Sequence, residues 1–184
     1  ALFLELLHLV FEAAALVVRK VPDARFVIAG EGELRPALER QIKEHHLEKH
    51  VLLAGFRPDV PSLHRAFDIF VMSSITEGLG TSLLDAMAAA RPIVATTTGG
   101  IPEVVVDGVT EFLVPPRDDA AMAAAIVKLL KDPDLRQRMG LAGLARARER
   151  FSAERMLKET LLVYQLVALH PHVEDDGQEV EARS

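Results

Sequence analysis

The hydrophobic positions of the chain form two alternating patterns, short apolar runs and longer stretches with helical spacing. Short apolar runs bounded by polar residues are typical of buried strands, and apolar residues that recur every three or four positions indicate helices. The patterns predict strands at 24–29, 51–54, 68–74, around Ile93 and at 111–114, and helices at 2–20, 34–46, 61–66, 81–89, from Ile101, and near 119–131, 133–149 and 152–168. This alternation predicts an α/β fold with a parallel sheet and right-handed crossovers, followed by carboxyl-terminal helices.

Length and composition fit one globular domain. The chain has 184 residues, of which 49% are apolar and 26% charged, so it can bury a sizeable core. We expect the domain to span 1–169. Residues 170–184 are rich in acidic side chains, and we expect them to form a disordered, solvated tail.

Charge and cysteine content narrow the partners and the compartment. The net charge of −6 argues against a nucleic-acid partner, because phosphate backbones require a basic surface. No apolar run approaches the ~20 residues of a membrane-spanning helix, and the apolar start has neither the positive flank nor the cleavage site of a signal peptide. The chain contains no cysteine, which excludes disulfides and thiolate metal sites, and we expect a cytoplasmic protein.

Two other motifs have simpler interpretations than the ligand sites they suggest. The pairs His45-His46 and His170-x-His172 have no third ligand at suitable spacing, so we expect no metal site. The run Gly30-Glu-Gly-Glu-Leu34 looks like part of a dinucleotide fingerprint, but its third glycine and the acid that should end a later strand are missing. We interpret it as an ordinary strand-to-helix turn.

The candidate chemistry concentrates after the strand at 68–74. Gly78 and Gly80 allow unusual φ values and let the backbone approach a ligand closely, and Thr81 or Ser82 is expected to be the N-cap of the next helix. That helix would direct free N–H groups and the positive end of its dipole at the carboxyl end of the strand. The result is an anion site, for which a diphosphate is the commonest large occupant in an α/β sheet.

Two acids flank this turn. Glu77 precedes it, and Asp85 lies two turns into the predicted helix, eight positions later. Helical spacing would separate them by roughly 12 Å, too far for one shared proton or metal but suitable for holding two parts of an extended ligand through its hydroxyls. Taken singly, the two would be a solvated loop acid and a surface helix residue; the neighbouring glycine turns, including Gly99-Gly100, favour the ligand site.

The stretch resembles the donor-binding half of retaining glycosyltransferases of the GT-B fold, the group that includes mannosyltransferases, sucrose synthases and bacterial glycogen synthases. Their pattern is an E-x7-E motif, then a Gly-Gly-Ile-Pro-Glu run and a D-G-x-x-G-x-L-V segment. The chain matches it at Ser74, Glu77, Gly78, Gly80, Asp85-Ala-Met-Ala88, Pro92, Val94-Ala-Thr96, Gly99-Gly-Ile-Pro-Glu103, Asp107-Gly108 and Phe112-Leu-Val114. The resemblance covers about 11–167.

The resemblance implies a role for each candidate residue. Glu77 would face the donor sugar as the catalytic candidate, and Asp85 would bind the ribose hydroxyls. Backbone amides around Gly80, Thr81 and Ser82 would hold the diphosphate, with Gly78 and the Gly99-Gly100 loop beside them. The base would lie against the turn at Gly55-Phe56-Arg57. No cofactor is implied, because the nucleotide-sugar is the donor substrate.

The resemblance also implies parts that this sequence does not contain. Donor domains of the group open with a strand and a loop that presents an arginine and a lysine to the diphosphate, whereas this sequence starts inside the helix that follows. In a doubly wound, Rossmann-like sheet of order 3-2-1-4-5-6 the missing first strand is central. We therefore expect either that its two neighbours close up or that another segment fills the gap. The amino-terminal acceptor domain, which forms the other wall of the active site, is missing too.

The leading interpretation is the nucleotide-sugar-binding half of a retaining hexosyltransferase that uses a UDP-, GDP- or ADP-sugar. By itself the chain is expected to bind the donor weakly or not at all and to transfer no sugar to any acceptor. A degenerate, non-catalytic interaction module is the rival, because Asp85 replaces the usual glutamate, and Ala90 and Glu111 replace glycines and would strain the backbone at positive φ. A GT-B epimerase or phosphorylase is disfavoured, because the E-x7-E-like run is more particular to the transferases.

Overall fold

The computed structural model describes residues 2–73 and 80–169. The chain divides into two compact units, 1–149 and 150–184. In chain order the elements are α1 (Leu2–Lys20), β1 (Phe26–Ala29), α2 (Arg35–Glu44), β2 (Val51–Gly55), α3 (Val60–Ala66), β3 (Phe70–Met72), α4 (Thr81–Ala88), β4 (Ile93–Thr96), α5 (Ile101–Val104), β5 (Glu111–Val114), α6 (Asp119–Lys131), α7 (Pro133–Arg150) and α8 (Ala153–Leu169). The predicted order of strands and helices is confirmed.

The strands form two parallel sheets. One contains β1 and β2, and the other has the order β3-β4-β5. Phe26 pairs with Val51 in the first sheet, and Phe70 pairs with Ile93 in the second. Among the described residues β1 and β3 do not pair, so the expectation that these two strands close up on each other is wrong. The predicted α/β class with parallel strands and carboxyl-terminal helices is confirmed.

Helix α1 contributes to two hydrophobic clusters, one against each sheet. On one side its residues Ala13 and Val17 pack with α6 and with Val94 of β4. On another side Phe11 and Ala14 pack with Ile42 of α2, under β1 and β2. Each fully buried large apolar side chain contributes about 1.5–3 kcal/mol, so α1 stabilises both sheets together.

The second sheet is covered more completely than the first. Helices α4 and α6 both pack against β4, and all four residues of β4 are buried, as is typical of a parallel strand with helices on both faces. In the first sheet Phe26 and Leu53 face the core, while Val27 and Leu52 point away from it and are exposed. This sheet therefore has one covered face.

Helix α2 ends earlier than the sequence predicts. His46 adopts φ +55°, and the amides of His46 and Leu47 donate to the carbonyls of Lys43 and Ile42, at 3.1 and 2.8 Å. This is the left-handed helix end that glycine usually provides. The predicted end at 46 is too late because histidine gives no sequence signal for such a turn.

The second unit contains α8. Ser152 starts the helix, because its hydroxyl accepts from the Arg155 amide at 3.2 Å, and Arg155 binds Glu159 at 2.7 Å. Many of its apolar side chains are exposed, namely Met156, Leu157, Leu161, Leu162, Val163, Tyr164, Leu166 and Val167. Within 2–73 and 80–169, no helix has the length and apolarity needed to span a membrane. The predicted tail at 170–184 lies outside the described residues.

Candidate functional site

The start of α4 lies at the carboxyl end of the second sheet, where the sequence predicts an anion site. Gly80, not Thr81 or Ser82, is the N-cap, with φ 65° and ψ 61°. The prediction for the cap is wrong because glycine takes this left-handed conformation at no steric cost and so turns the chain into the helix earlier. Thr81 and Ser82 are therefore the first two helical residues.

The amino end of α4 keeps backbone donors for a ligand. The first N–H groups of a helix have no intrahelical acceptor, and no side chain caps α4 among the described residues. Thr81 is exposed, Ser82 is half-buried and the capping Gly80 is buried. Together with the positive end of the helix dipole, this arrangement favours an anion.

Asp85 is the fifth residue of α4, one turn into the helix rather than the two turns that the sequence suggests. It is exposed, so its carboxylate is accessible to ligand hydroxyls. Glu77 and Gly78 lie outside the described residues. The separation of the two acids therefore stays a prediction.

The Gly99-Gly100 loop follows β4, the neighbour of β3 in the sheet. Gly99 has φ +51° and is exposed, and Gly100 is the N-cap of the short α5. The loop is held at its start, because both the amide and the hydroxyl of Thr97 donate to the Val114 carbonyl, at 2.8 and 3.2 Å. Because parallel neighbouring strands end at the same edge of a sheet, this loop and the start of α4 lie on one edge.

The predicted base-binding turn follows β2, in the first sheet. Gly55 has φ +68°, and its carbonyl accepts from the Gly30 amide at 2.8 Å, which joins the loops after β1 and β2. Phe56 is 69% exposed. The chain then enters α3, which packs against α4. Helix α3 therefore connects the turn at Gly55-Phe56-Arg57 to the helix that carries Asp85.

Arg57 in this turn forms a bidentate ion pair that the sequence does not predict. Its Nε and one terminal nitrogen donate to the two carboxylate oxygens of Asp59, at 2.8 and 2.7 Å. The hydrogen bond from Arg57 holds the pKa of Asp59 below its usual value, and Asp59 raises the pKa of Arg57. The only sequence signal was the Arg-x-Asp spacing, which is compatible with many loop conformations.

His64 of α3 lies under the helix that carries Asp85. It is 5% exposed, and its ring centroid lies 5.0 Å from that of Phe70 and 6.2 Å from that of Phe67. Burial lowers the pKa of His64, although the charge of Asp85 opposes this shift. The imidazole is therefore neutral near neutral pH, and no hydrogen-bond partner of its Nδ1 is found in the described part of the chain.

Two residues that replace family glycines differ in their effect. Ala90 has φ +55°, so the expected strain is present there. Glu111 is not in the left-handed region, and its cost arises from burial, since it is fully buried. The Thr110 hydroxyl donates to Glu111 Oε1 at 3.1 Å, while Oε2 has no partner among the residues that the structure describes.

The environment of Glu111 favours its neutral form. Burial raises its pKa to about 7; the Thr110 hydroxyl and the charge of Arg146 oppose the rise, and the charge of Asp107 adds to it. Glu111 begins β5, at the amino end of the strand. It lies at the opposite end of the strand from the candidate site.

Two clefts lie away from the candidate site. One, of about 380 Å³, lies between α2 and β2 and is lined by residues such as Glu39 and Leu52. The other, of about 290 Å³, includes Pro92 at the amino end of β4 and Arg136 of α7. No group of three or more histidine, aspartate or glutamate side chains that could hold a metal ion occurs in 2–73 and 80–169.

Comparison with known proteins agrees with this geometry. The sequence profile of the glycosyl transferases group 1 matches residues 5–146. The chain is 38% identical over 153 residues to the putative glycosyltransferase EpsD of Bacillus subtilis, an alignment that covers 83% of this chain and 40% of EpsD. The chain thus spans about two fifths of that relative.

Two solved structures show the same fold. The carboxyl-terminal domain of the group 1 glycosyl transferase LpcC from Francisella tularensis superposes with a TM-score of 0.73 at 30% identity, covering 79% of each chain. Anabaena HepE in complex with UDP-glucose superposes with a TM-score of 0.77 at 29% identity, covering 85% of this chain and 44% of HepE. The chain belongs to the glycosyl transferases group 1 family and has the fold of the carboxyl-terminal, donor-binding domain of its GT-B members.

Proposed function

We propose that the chain binds the nucleotide-sugar donor of a retaining hexosyltransferase, with the diphosphate at the start of α4. The observation that carries this proposal is the amino end of α4, which follows Gly80, has no side-chain cap and lies on the same edge of the sheet as the Gly99-Gly100 loop. Exposed backbone amides, a helix dipole and glycines that permit close approach are the features that bind diphosphates in α/β sheets. The UDP-glucose complex of HepE supports the same class of ligand.

The other candidate residues contact successive parts of the extended nucleotide-sugar. Asp85, exposed one turn along α4, accepts hydrogen bonds from the ribose hydroxyls, and the turn at Phe56 and Arg57 contacts the base. Glu77 faces the sugar as the catalytic candidate, a role supported by the E-x7-E resemblance. We place the protein in the cytoplasm on the basis of its cysteine-free sequence.

The isolated chain binds the donor weakly and transfers no sugar. The chain covers 40% of EpsD. In GT-B enzymes the reaction takes place in the cleft between two domains. One helix dipole contributes about 0.3–1 kcal/mol at an exposed site. The arginine and lysine that the family presents to the diphosphate would give two charge-assisted hydrogen bonds, at about 1.5–3 kcal/mol each. Contacts to the diphosphate from α4 alone therefore give only weak affinity.

A titration of the ¹⁵N-labelled chain followed by NMR tests this function. UDP, GDP and ADP are compared with the corresponding nucleosides, which carry no phosphate. The proposal predicts saturable shifts of the Gly80, Thr81 and Ser82 amides with the diphosphates and much smaller shifts with the nucleosides. Unchanged amides at the start of α4 with all three diphosphates would contradict donor binding.

The alternative is a non-catalytic interaction module with the same fold. Ala90 at φ +55° and the buried Glu111 both cost stability, as is compatible with relaxed selection on a former enzyme. Such a module would retain the fold but would not respond to nucleotides. The same titration separates the two functions.

A further inference from the structure

The base turn contains an arginine whose orientation is fixed by an aspartate. Arg57 uses Nε and one terminal nitrogen for the carboxylate of Asp59, at 2.8 and 2.7 Å. Two parallel hydrogen bonds orient a planar guanidinium far more strictly than one does. The other terminal nitrogen takes no part in this pair, and its N–H groups point away from Asp59.

Asp59 forms this pair in place of its ordinary local role. It is the N-cap of α3, yet its side chain accepts no hydrogen bond from that helix, although aspartate is among the preferred capping residues. Its backbone carbonyl instead accepts from the amides of Ser62 and Leu63, at 2.9 and 3.0 Å. The carboxylate is thus directed to Arg57, at the expense of a capping interaction.

An exposed aromatic residue directly precedes this arginine in the same turn. Phe56 directly precedes Arg57 and is 69% exposed, and Gly55, with φ +68°, turns the chain at the carboxyl end of β2. A large exposed ring and an oriented planar donor group, both presented by one turn, suit a flat heterocycle with acceptors on its edge. The ring supplies a stacking face, and the guanidinium supplies donors to the edge.

The donors discriminate between bases by their edge groups. Guanine presents its O6 and N7 acceptors, and uracil presents O4, whereas adenine carries an amino donor at the corresponding position. An arginine that cannot rotate away leaves this amino group facing another donor. An unfixed arginine or a lysine could move aside and would tolerate either edge.

We propose that Asp59 is a positioning residue that holds Arg57 against the nucleobase, so that the site prefers oxo-bearing bases, uracil or guanine, over adenine. This inference rests on the proposed donor binding at α4 and adds the class of base. The carboxylate acts through Arg57 and does not contact the ligand.

The test is a set of NMR titrations of the ¹⁵N-labelled 184-residue chain with UDP, GDP and ADP. Asp59→Asn retains a good N-cap residue but loses the charge that fixes Arg57, and Arg57→Lys retains the charge but loses the planar fork. The matched control is Glu39→Gln, which removes the partner of Arg35 in the exposed ion pair of α2. Circular dichroism confirms that each variant is folded.

In the wild type we expect UDP or GDP to bind about five- to tenfold more tightly than ADP, from one charge-assisted hydrogen bond at an exposed site. The Phe56 and Arg57 amides should shift in the same titrations. Asp59→Asn and Arg57→Lys should reduce the ratio to about twofold or less, and Glu39→Gln should leave it unchanged. A purely structural role of Asp59 would change the affinities for all three nucleotides alike and would leave their ratio unchanged.

Two results would overturn the inference, and they differ in what else they affect. If Gly80, Thr81 and Ser82 shift with the diphosphates but ADP binds as well as UDP and GDP, or Asp59→Asn preserves the preference, the inference fails and the donor site stands. If no amide at the start of α4 shifts, the proposed donor site fails and the inference fails with it.

Discussion

Gly140 of α7 lies directly against the carbonyl oxygen of Ala90, at the turn that follows α4. A β-carbon on Gly140 would lie 2.1 Å from that oxygen and 2.8 Å from the carbonyl carbon. Neighbouring Gly143 faces Met87, where a β-carbon would lie 3.6 Å from the Met87 Cγ. The close approach of α7 to the end of α4 therefore depends on one of these glycines and not on the other.

This relationship predicts opposite effects for two similar substitutions. Gly140→Ala should destabilise the fold by about 2–3 kcal/mol, because the overlapping atom is backbone and cannot rotate away. Gly143→Ala should be neutral or should stabilise by up to about 1 kcal/mol, because alanine favours the helix and its methyl group meets an ordinary contact. Urea unfolding of the two variants checks this, and equal stability losses would contradict the packing of α7 on Ala90.

Ala90 itself should be improved by glycine. At φ +55° an L-residue costs roughly 1 kcal/mol, so Ala90→Gly should raise the free energy of unfolding by about 0.5–1 kcal/mol. The control is Ala88→Gly in α4, which should lower it by a similar amount because its backbone is helical. The midpoints of thermal unfolding report both changes. A loss of stability in Ala90→Gly would show that the left-handed conformation is not strained.

Glu111 should make stability depend on pH in the direction opposite to that of an ion-paired carboxylate. Its pKa is about 7 in the fold against an ordinary value of 4.5, so the folded state binds the proton more tightly. This contribution to stability is complete below about pH 4.5 and is lost as the pH rises through about 7, by at most about 3 kcal/mol.

The measurement is the free energy of unfolding of wild type and Glu111→Gln between pH 4.5 and 8. The stability of the wild type relative to the variant should fall across this range, because only the wild type must ionise a buried group. Glu48→Gln, which changes an exposed acid, provides the control and should give a constant difference. A constant difference for Glu111→Gln as well would show that the buried acid does not titrate in the fold.

Asp85→Glu should strengthen nucleotide binding if the ribose lies beside α4. The longer side chain matches the glutamate of the family pattern and gains up to one charge-assisted hydrogen bond, about 1.5 kcal/mol at an exposed site. The affinity of the variant for UDP, followed by NMR, should therefore rise by up to about tenfold. Asp134→Glu, a change at an exposed position of α7, should have no effect, and equal affinities for wild type and Asp85→Glu would place the ribose elsewhere.

Glu77→Ala should separate sugar contacts from nucleotide contacts. Glu77 is proposed to face the sugar, so its loss should weaken UDP-glucose binding by about tenfold or more, the value of one hydrogen bond to a charged group, while UDP binding stays constant. Thermal unfolding should be unchanged, because the residue is proposed to act on the ligand. Equal losses for UDP and UDP-glucose, or a loss of folded protein, would instead indicate a structural role.

The sequence predicts the order of the elements well, since the alternation of apolar runs reports burial directly. The sequence does not predict where the backbone takes a left-handed conformation at the end or the start of a helix. His46 ends α2 in a left-handed turn, and Gly80 rather than a hydroxyl residue caps α4. Ala90 and Glu111 both replace family glycines, but only Ala90 has the positive φ at which such a replacement strains the backbone.

Some features of the candidate site could be predicted from the sequence and others could not. Gly80, Gly99 and Phe56 stand at strand ends, where a parallel sheet places its ligands, and their positions follow from the motif. The pairing of Arg57 with Asp59 and the burial of His64 between Phe67 and Phe70 depend on side-chain directions. A linear pattern does not contain this information, so only the folded chain reveals the fixed arginine in the base turn.

The most direct test of donor binding at α4 is a crystal structure of the chain soaked with UDP-glucose at a saturating concentration. We expect diphosphate oxygens within hydrogen-bond distance of the Thr81 and Ser82 amides, ribose hydroxyls toward Asp85 and the base at Phe56. A diphosphate bound elsewhere, or an empty edge at Gly80 with the ligand ordered at another surface, would contradict it.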